Sequence, residues 1–232
     1  MKISWKPSYK AGKVNETQVK EKLLPFIGGS SAIGGIIHVT NGQIYSFAEA
    51  AELRLVKRSI AIEMLQAQVA TGGVLNPKNG QKCELRNAIQ TNLVPNEFEM
   101  HLQEAEKAFK GFVMAGYSGP VPLVEAIRVG IVAEMQGTRL LDAQCNTGGL
   151  VDPAFGYRVP LEVARDKGLI DPRVAGLLNP QTSEQKAYTD PNTGKNCTYD
   201  EMMQKCTKRN NVLLLPIDDR NPQIQTHQMI FN

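Results

Sequence analysis

One phrase occurs twice in this chain, and its spacing constrains the fold more than any other feature. MLQAQVATGGVLNP begins at Met64 and LLDAQCNTGGLVDP begins at Leu140, 76 residues later. Half that offset lands on LQEAEKAFKGFV at Leu102, and a step back from Met64 lands on FIGGSSAIGGII at Phe26. Other columns keep the same 38-residue period: Ala50, Ala88, Ala126 and Ala164; Leu55, Leu93, Ile131 and Leu169; Phe47, Leu85, Leu123, Leu161 and Tyr199. Gly42, Gly80, Gly156 and Gly194 form a further column, with Ser118 in the gap. Chance would break the register among independent columns. A period in this range marks an array in which each unit buries its apolar face against its neighbours.

Each unit reads as a hairpin followed by two helices. An apolar pair (Ile36-Ile37, Val74-Leu75, Leu150-Val151) runs into Thr-Asn-Gly or Asn/Asp-Pro-x-x-Gly, where glycine supplies the positive φ of a turn. Ser46-x-x-Glu49 and Thr198-x-x-Glu201 are capping boxes, and Pro122 and Pro160 stand in the same column, where no helical N–H is needed. A short helix follows, closed by Gly130 and Gly168 in two units. A longer second helix, for example Ser59 to Gln68, places Ile60, Met64 and Ala67 on one face and ends at Thr-Gly-Gly.

The expected fold is therefore an α+β repeat array of about four and a half units, near 26–63, 64–101, 102–139, 140–177 and 178–215, stacked into one compact domain. The last unit fades after Cys206. The copy at Leu102 lacks the double glycine and the Asp-Pro. Residues 1–18 form a lysine-rich lead-in, 19–216 the domain and 217–232 a linker tail. The period differs from that of ankyrin, tetratricopeptide or HEAT units.

Composition narrows the function. With 26 basic and 23 acidic residues, the chain is too balanced to announce a nucleic-acid binder. The first 25 residues hold six lysines against two acids, so the excess sits in the lead-in and the rest is near neutral. Cys83, Cys145, Cys197 and Cys206 are too scattered for a disulfide framework or a zinc site, and read as reduced thiols of an intracellular protein. No apolar run reaches the ~20 residues of a membrane span. The sequons at Asn15 and Asn196 read as chance matches. Gly28, Gly29, Gly34 and Gly35 lack the Gly-Lys-Ser/Thr ending of a phosphate loop. Neither Asp142 beside Cys145 nor Glu125 beside Arg128 belongs to a nucleophile–base–orienter set, so no catalytic site, metal or cofactor is expected.

The pattern LLxAQxATGGxxDPxxGxRxxxxxAxxxGL, followed almost throughout by Leu140 to Asp171, resembles the plakin (plectin) repeat. LLPFIGG at Leu23–Gly29 and DPNTGKNCTYDEMMQKC at Asp190–Cys206 resemble its first and last copies, so the resemblance spans roughly Val19 to Pro216. It implies a non-enzymatic module of cytolinkers of the desmoplakin, plectin and envoplakin kind. It further implies a cytoplasmic place at the cytoskeleton and at cell junctions such as desmosomes. The implied partners are intermediate filament proteins (vimentin, desmin, keratins), whose acidic rod a basic groove would receive. No nucleic acid, membrane or cofactor is implied, and the isolated domain is expected to be monomeric. The competing reading is a repeat scaffold for another junctional or signalling protein.

The groove candidates follow from the columns. Lys82 and Arg158 share one hairpin position and Lys78 lies near a turn, so stacking would line them along one edge. Lys57, Arg58, Arg128, Arg139, Arg165 and Lys167, at helix ends, would line the opposite wall. Glu97, Glu99, Glu104 and Glu106 would then be segregated elsewhere.

Overall fold

The 38-residue step recurs in the secondary structure itself. The computed structural model describes residues 32–153, 157–166, 170, 172–178 and 187–218. Short helices α1 (Phe47–Glu52), α3 (Leu85–Gln90), α5 (Leu123–Arg128), α7 (Leu161–Asp166) and α9 (Tyr199–Met203) begin at that interval. So do the second helical segments: α2 (Arg58–Ala70), a 3-10 turn (Asn96–Phe98) leading into α4 (Glu99–Lys110), α6 (Glu134–Asn146) and α8 (Pro172–Leu177). Antiparallel two-stranded hairpins precede the short helices: β3 (Val74–Leu75) with β4 (Lys82–Cys83), β5 (Leu150–Asp152) with β6 (Tyr157–Val159), and β7 (Tyr188–Thr189) with β8 (Asn196–Cys197). At the position of the third hairpin the described backbone holds one bridge, Phe112 to Val121. The fold is mixed α and β, with small sheets at the ends of short helices.

Local chemistry accounts for the element boundaries. Both expected capping boxes form: Ser46 accepts from Glu49 N and Thr198 from Glu201 N, and each glutamate accepts the cap residue's own N–H. Pro122 is the N-cap of α5, and Gly130 takes φ +79° just beyond its C-cap. Helix α2 starts at Arg58 and reaches Ala70, longer than the expected Ser59 to Gln68. The Thr71 hydroxyl donates to the carbonyls of Ala67 and Gln68, closing the last turn. Gly168 lies outside the described residues.

The repeat columns form the core. Met64, Leu102 and Leu140 are fully buried, as are Ala67, Ala105 and Ala143 on the same helices. Phe47, Leu85, Leu123 and Tyr199 fill the equivalent place on the short helices. Each such large side chain contributes about 2 kcal/mol of burial. One column differs from expectation. Leu55 is buried, but its mate Ile131 is 52% exposed. The core position belongs to the next residue, occupied by Val56, Val94, Val132 and Ile170, all buried. The turn between helices is tight, with Leu55 N and Val56 N both donating to Ala50 O, and the second of the two positions is the one that stays buried from unit to unit.

The end of the chain departs from the repeat. Among the described residues after Cys206 no second helix follows α9. The chain instead forms β9 (Thr207–Arg209) and β10 (Val212–Ile217), and β10 pairs in parallel with β1 (Ile33–His38). With β2 (Ile44–Tyr45) they make a four-stranded sheet in the order β2-β1-β10-β9. The first and last described segments thus share one sheet, reinforced by Ile33 N donating to the Tyr199 hydroxyl at 2.9 Å. Strand β10 carries Pro216, where the expected domain ends, and continues to Ile217. The lead-in lies outside the described residues, as does the tail beyond Asp218.

Candidate functional site

The two Thr-Gly-Gly segments build the best-defined polar site. Gly72, Gly73, Gly148 and Gly149 all take φ between +113° and +127°. A Cβ at Gly73 would lie 2.5 Å from the Cys83 carbonyl oxygen, and one at Gly149 would lie 2.4 Å from that of Val159. Glycine is therefore required twice over, for conformation and for close approach to the returning strand.

A buried amide sits behind each pair. Gln68 donates to the carbonyls of Ile33 and Gly34 and accepts from Leu75 N. Gln144 donates to Ala70 O and Ala108 O and accepts from Val151 N. Gln68 thus ties its hairpin to strand β1, and Gln144 ties its hairpin to the C-terminal turns of α2 and α4. Both glutamines stand in the phrases that revealed the repeat, yet sequence reasoning gave them no role. The available signal was a polar residue recurring at 76 residues inside an otherwise apolar helix.

Lys82 and Arg158 come together at this site from two hairpins. Lys82 Nζ donates to Thr71 O at 3.2 Å, and Arg158 reaches the same oxygen at 3.4 Å. The two residues of the shared hairpin column thus meet at one carbonyl. Their environments differ. Arg158 is 4% exposed and also donates to Gly149 O, Gln144 O and the Thr147 hydroxyl. Burial lowers its pKa to about 10, so it stays charged at neutral pH. Burial, assisted by the adjacent Arg158 charge, lowers Lys82 to about 8. Phe109 and Lys82 both approach Gly72.

The remaining candidates are spread over the surface, and several are engaged within the protein. Arg58 pairs with Glu97 at 2.7 Å and stacks over the Phe98 ring. Lys78 reaches Glu49 at 3.0 Å. Arg128 holds Glu125 in a two-point contact, and Arg128 with the Tyr117 hydroxyl keeps that carboxyl down at about 2. Arg139 donates to Gln66, lies 3.7 Å from Glu63 and is mostly buried. Arg165 donates to Ala175 O. Lys57 is exposed at the N-cap of α2. Lys167 lies outside the described residues.

The acids and thiols have structural surroundings. Asp142 accepts from Tyr199 N at 2.8 Å and so fixes the start of α9. Burial, with Asp200 and Glu201 nearby, raises its pKa to about 6. Burial pushes the Cys145 and Cys206 thiols up to about 12, and all four cysteines are free. No group of His, Cys, Asp and Glu among the described residues is arranged to hold a metal ion, and no described helix is long and apolar enough to cross a membrane.

Residues 64–102 and 140–178 each match the family model of the plectin repeat. These segments contain both Thr-Gly-Gly turns, both buried glutamines, Lys82 and Arg158. These two matches support a plakin repeat domain, of a family of structural cytoskeletal repeats.

Proposed function

We propose that this plakin repeat domain is a non-enzymatic cytoskeletal linker module of about four and a half stacked units. In this reading it binds intermediate filaments of the vimentin, desmin or keratin type, at the cytoskeleton and cell junctions. A basic surface along the repeats receives the acidic filament rod. The observation that carries the reading is the convergence of Lys82 and Arg158, from separate repeats, on the Thr71 carbonyl. Lys82 is half-buried and faces an incoming carboxylate. Arg158, locked by four acceptors, supplies field and scaffold. Exposed Lys57 and Lys78, with Arg58 and Arg128, extend the surface and exchange internal acids for the rod's.

Magnitudes require that these groups act together. An exposed ion pair contributes about 0–1 kcal/mol and is screened beyond ~8–10 Å at physiological salt. Micromolar binding needs about 8 kcal/mol. The isolated domain therefore binds weakly, and repetition along a filament supplies avidity. Co-sedimentation with vimentin filaments is the test. Raising the salt to about 0.5 M should release the domain, and Lys82→Glu should weaken binding while the fold is kept. Binding indifferent to both changes would overturn the basic-surface reading.

A further inference from the structure

The end of the molecule holds a second charged surface, built from strands that fall outside the repeat. Strand β9 is the edge of the four-stranded sheet, and Thr207, Lys208 and Arg209 are all exposed. It pairs with β10 as Arg209 to Val212, Lys208 to Leu213 and Thr207 to Leu214. Asn210 (φ 49°) and Asn211 (φ 62°) make the two-residue turn between them. In such a hairpin the residues flanking the turn form a hydrogen-bonded pair, and so does every second pair beyond it. Arg209 and Thr207 thus direct their backbone groups to β10, and the N–H and C=O of Lys208 point away from the sheet. No described strand lies beyond them.

A pocket of about 280 Å³ adjoins this edge, between β9 and the turn joining β1 to β2. His38, Val39, Gly42, Thr207, Lys208 and Arg209 line it over the apolar Ile37 and Pro216, and no carboxylate is among the described lining residues. Neither Lys208 nor Arg209 has an ion-pair partner among the described residues. Val39 is 49% exposed at its rim. Open backbone groups, two cations and an apolar floor therefore lie side by side.

Cations on an edge strand ordinarily prevent indiscriminate pairing, because a neutral or basic strand would have to desolvate them. An incoming strand with carboxylates removes that penalty and satisfies the open groups. We propose that β9 is a docking edge for an extended, acidic peptide segment of a partner protein, which adds to the sheet as a fifth strand. Carboxylates of the segment face Lys208 on one face of the sheet or Arg209 on the other. The site is separate from Lys82 and Arg158 and stands whether or not the filament reading holds.

The test is titration of the whole chain with a fluorescent peptide of alternating glutamate and valine at low salt. Saturable binding is expected, weakened about tenfold or more by Lys208→Glu with Arg209→Glu. Both residues are exposed, so the melting temperature should hold; if it falls, Lys208→Gln alone replaces the pair and should weaken binding. The same peptide with N-methyl groups on alternate amides should lose binding, because strand addition needs those N–H groups. Absence of binding overturns the proposal, as does equal affinity for the charge-reversed protein or for the N-methylated peptide. Dimerisation of the free chain that the same substitutions abolish would assign the edge to a second copy and also overturn it.

Discussion

The third unit departs from the second and fourth at one place, the entry to its hairpin. In the second and fourth units a buried glutamine, a threonine lock and two positive-φ glycines turn the chain from helix into a paired hairpin. In the third, Glu106 stands where Gln68 and Gln144 stand, and Lys110-Gly111 replaces the double glycine. Glu106 is not fully buried and pairs with Lys110. The consequence is visible two residues beyond. Leu75 and Val151 are 8% and 5% exposed, whereas their mate Val113 is 94% exposed. Yet Leu102, Ala105 and Ala108 of the same unit are buried. Helix packing and hairpin geometry are therefore separable. The apolar columns hold the register, and in the second and fourth units the glutamine with its glycines holds the hairpin entry.

The largest expected effect tests the glycines. Gly149→Ala places a methyl at φ +113° against the Val159 carbonyl, with no flexible side chain to give way. A cost of about 4 kcal/mol is expected, from backbone strain plus displacement of β6. Gly116, in the third unit's loop, also has positive φ, but a methyl there would meet nothing within 4 Å. Gly116→Ala should cost about 1 kcal/mol. Urea unfolding of both variants checks the contrast, and equal losses would mean that the tight turn is not what distinguishes the units.

The next effect tests the amide. Gln144→Leu keeps approximate volume but strands Ala70 O, Ala108 O and Val151 N in the interior. At about 1–3 kcal/mol for each buried group left unsatisfied, a loss of about 3 kcal/mol is a low expectation. Glu106→Ala removes only a partly exposed pair with Lys110 and should cost about 0.5 kcal/mol. Equilibrium unfolding of the two variants, run side by side, decides whether the third unit has relinquished the amide's role.

These contrasts explain what was legible in the sequence. Periodicity exposed the helix starts, because the apolar columns on the helices are buried at a spacing that is preserved in the chain. The capping boxes were legible because they are local. The inward place of Val56, Val94 and Val132, one residue past the expected column, depends on how a two-turn helix closes, and two adjacent apolar columns do not reveal it. Strands β9 and β10 escaped notice because they break the period, and their parallel partner β1 is nearly 180 residues away. For the candidate site, the shared column of Lys82 and Arg158 was legible, but not the burial of Arg158. Its four acceptors come from backbone and side-chain positions that only the folded turns bring together.

The smallest effect concerns charge, where Asp142 and its column mate Glu104 part company. Glu104 accepts from Gln136 near the surface, whereas Asp142 is largely buried against Tyr199 N and faces Asp200 and Glu201. Burial, the leading cause, raises the Asp142 pKa from 3.8 to about 6. A carboxyl with a raised folded pKa binds its proton more tightly in the fold than in the unfolded chain. Its contribution is therefore fully present below the unfolded pKa and is lost as pH rises through about 6. At about 1.4 kcal/mol per unit, the loss at neutral pH is about 3 kcal/mol. Asp142→Asn keeps an oxygen for Tyr199 N and carries no charge. The variant should melt above the parent at neutral pH, and the gap should close as pH falls towards the ordinary aspartate range. Thermal melts across that range check the sign, and a gap that widened as pH fell would overturn it.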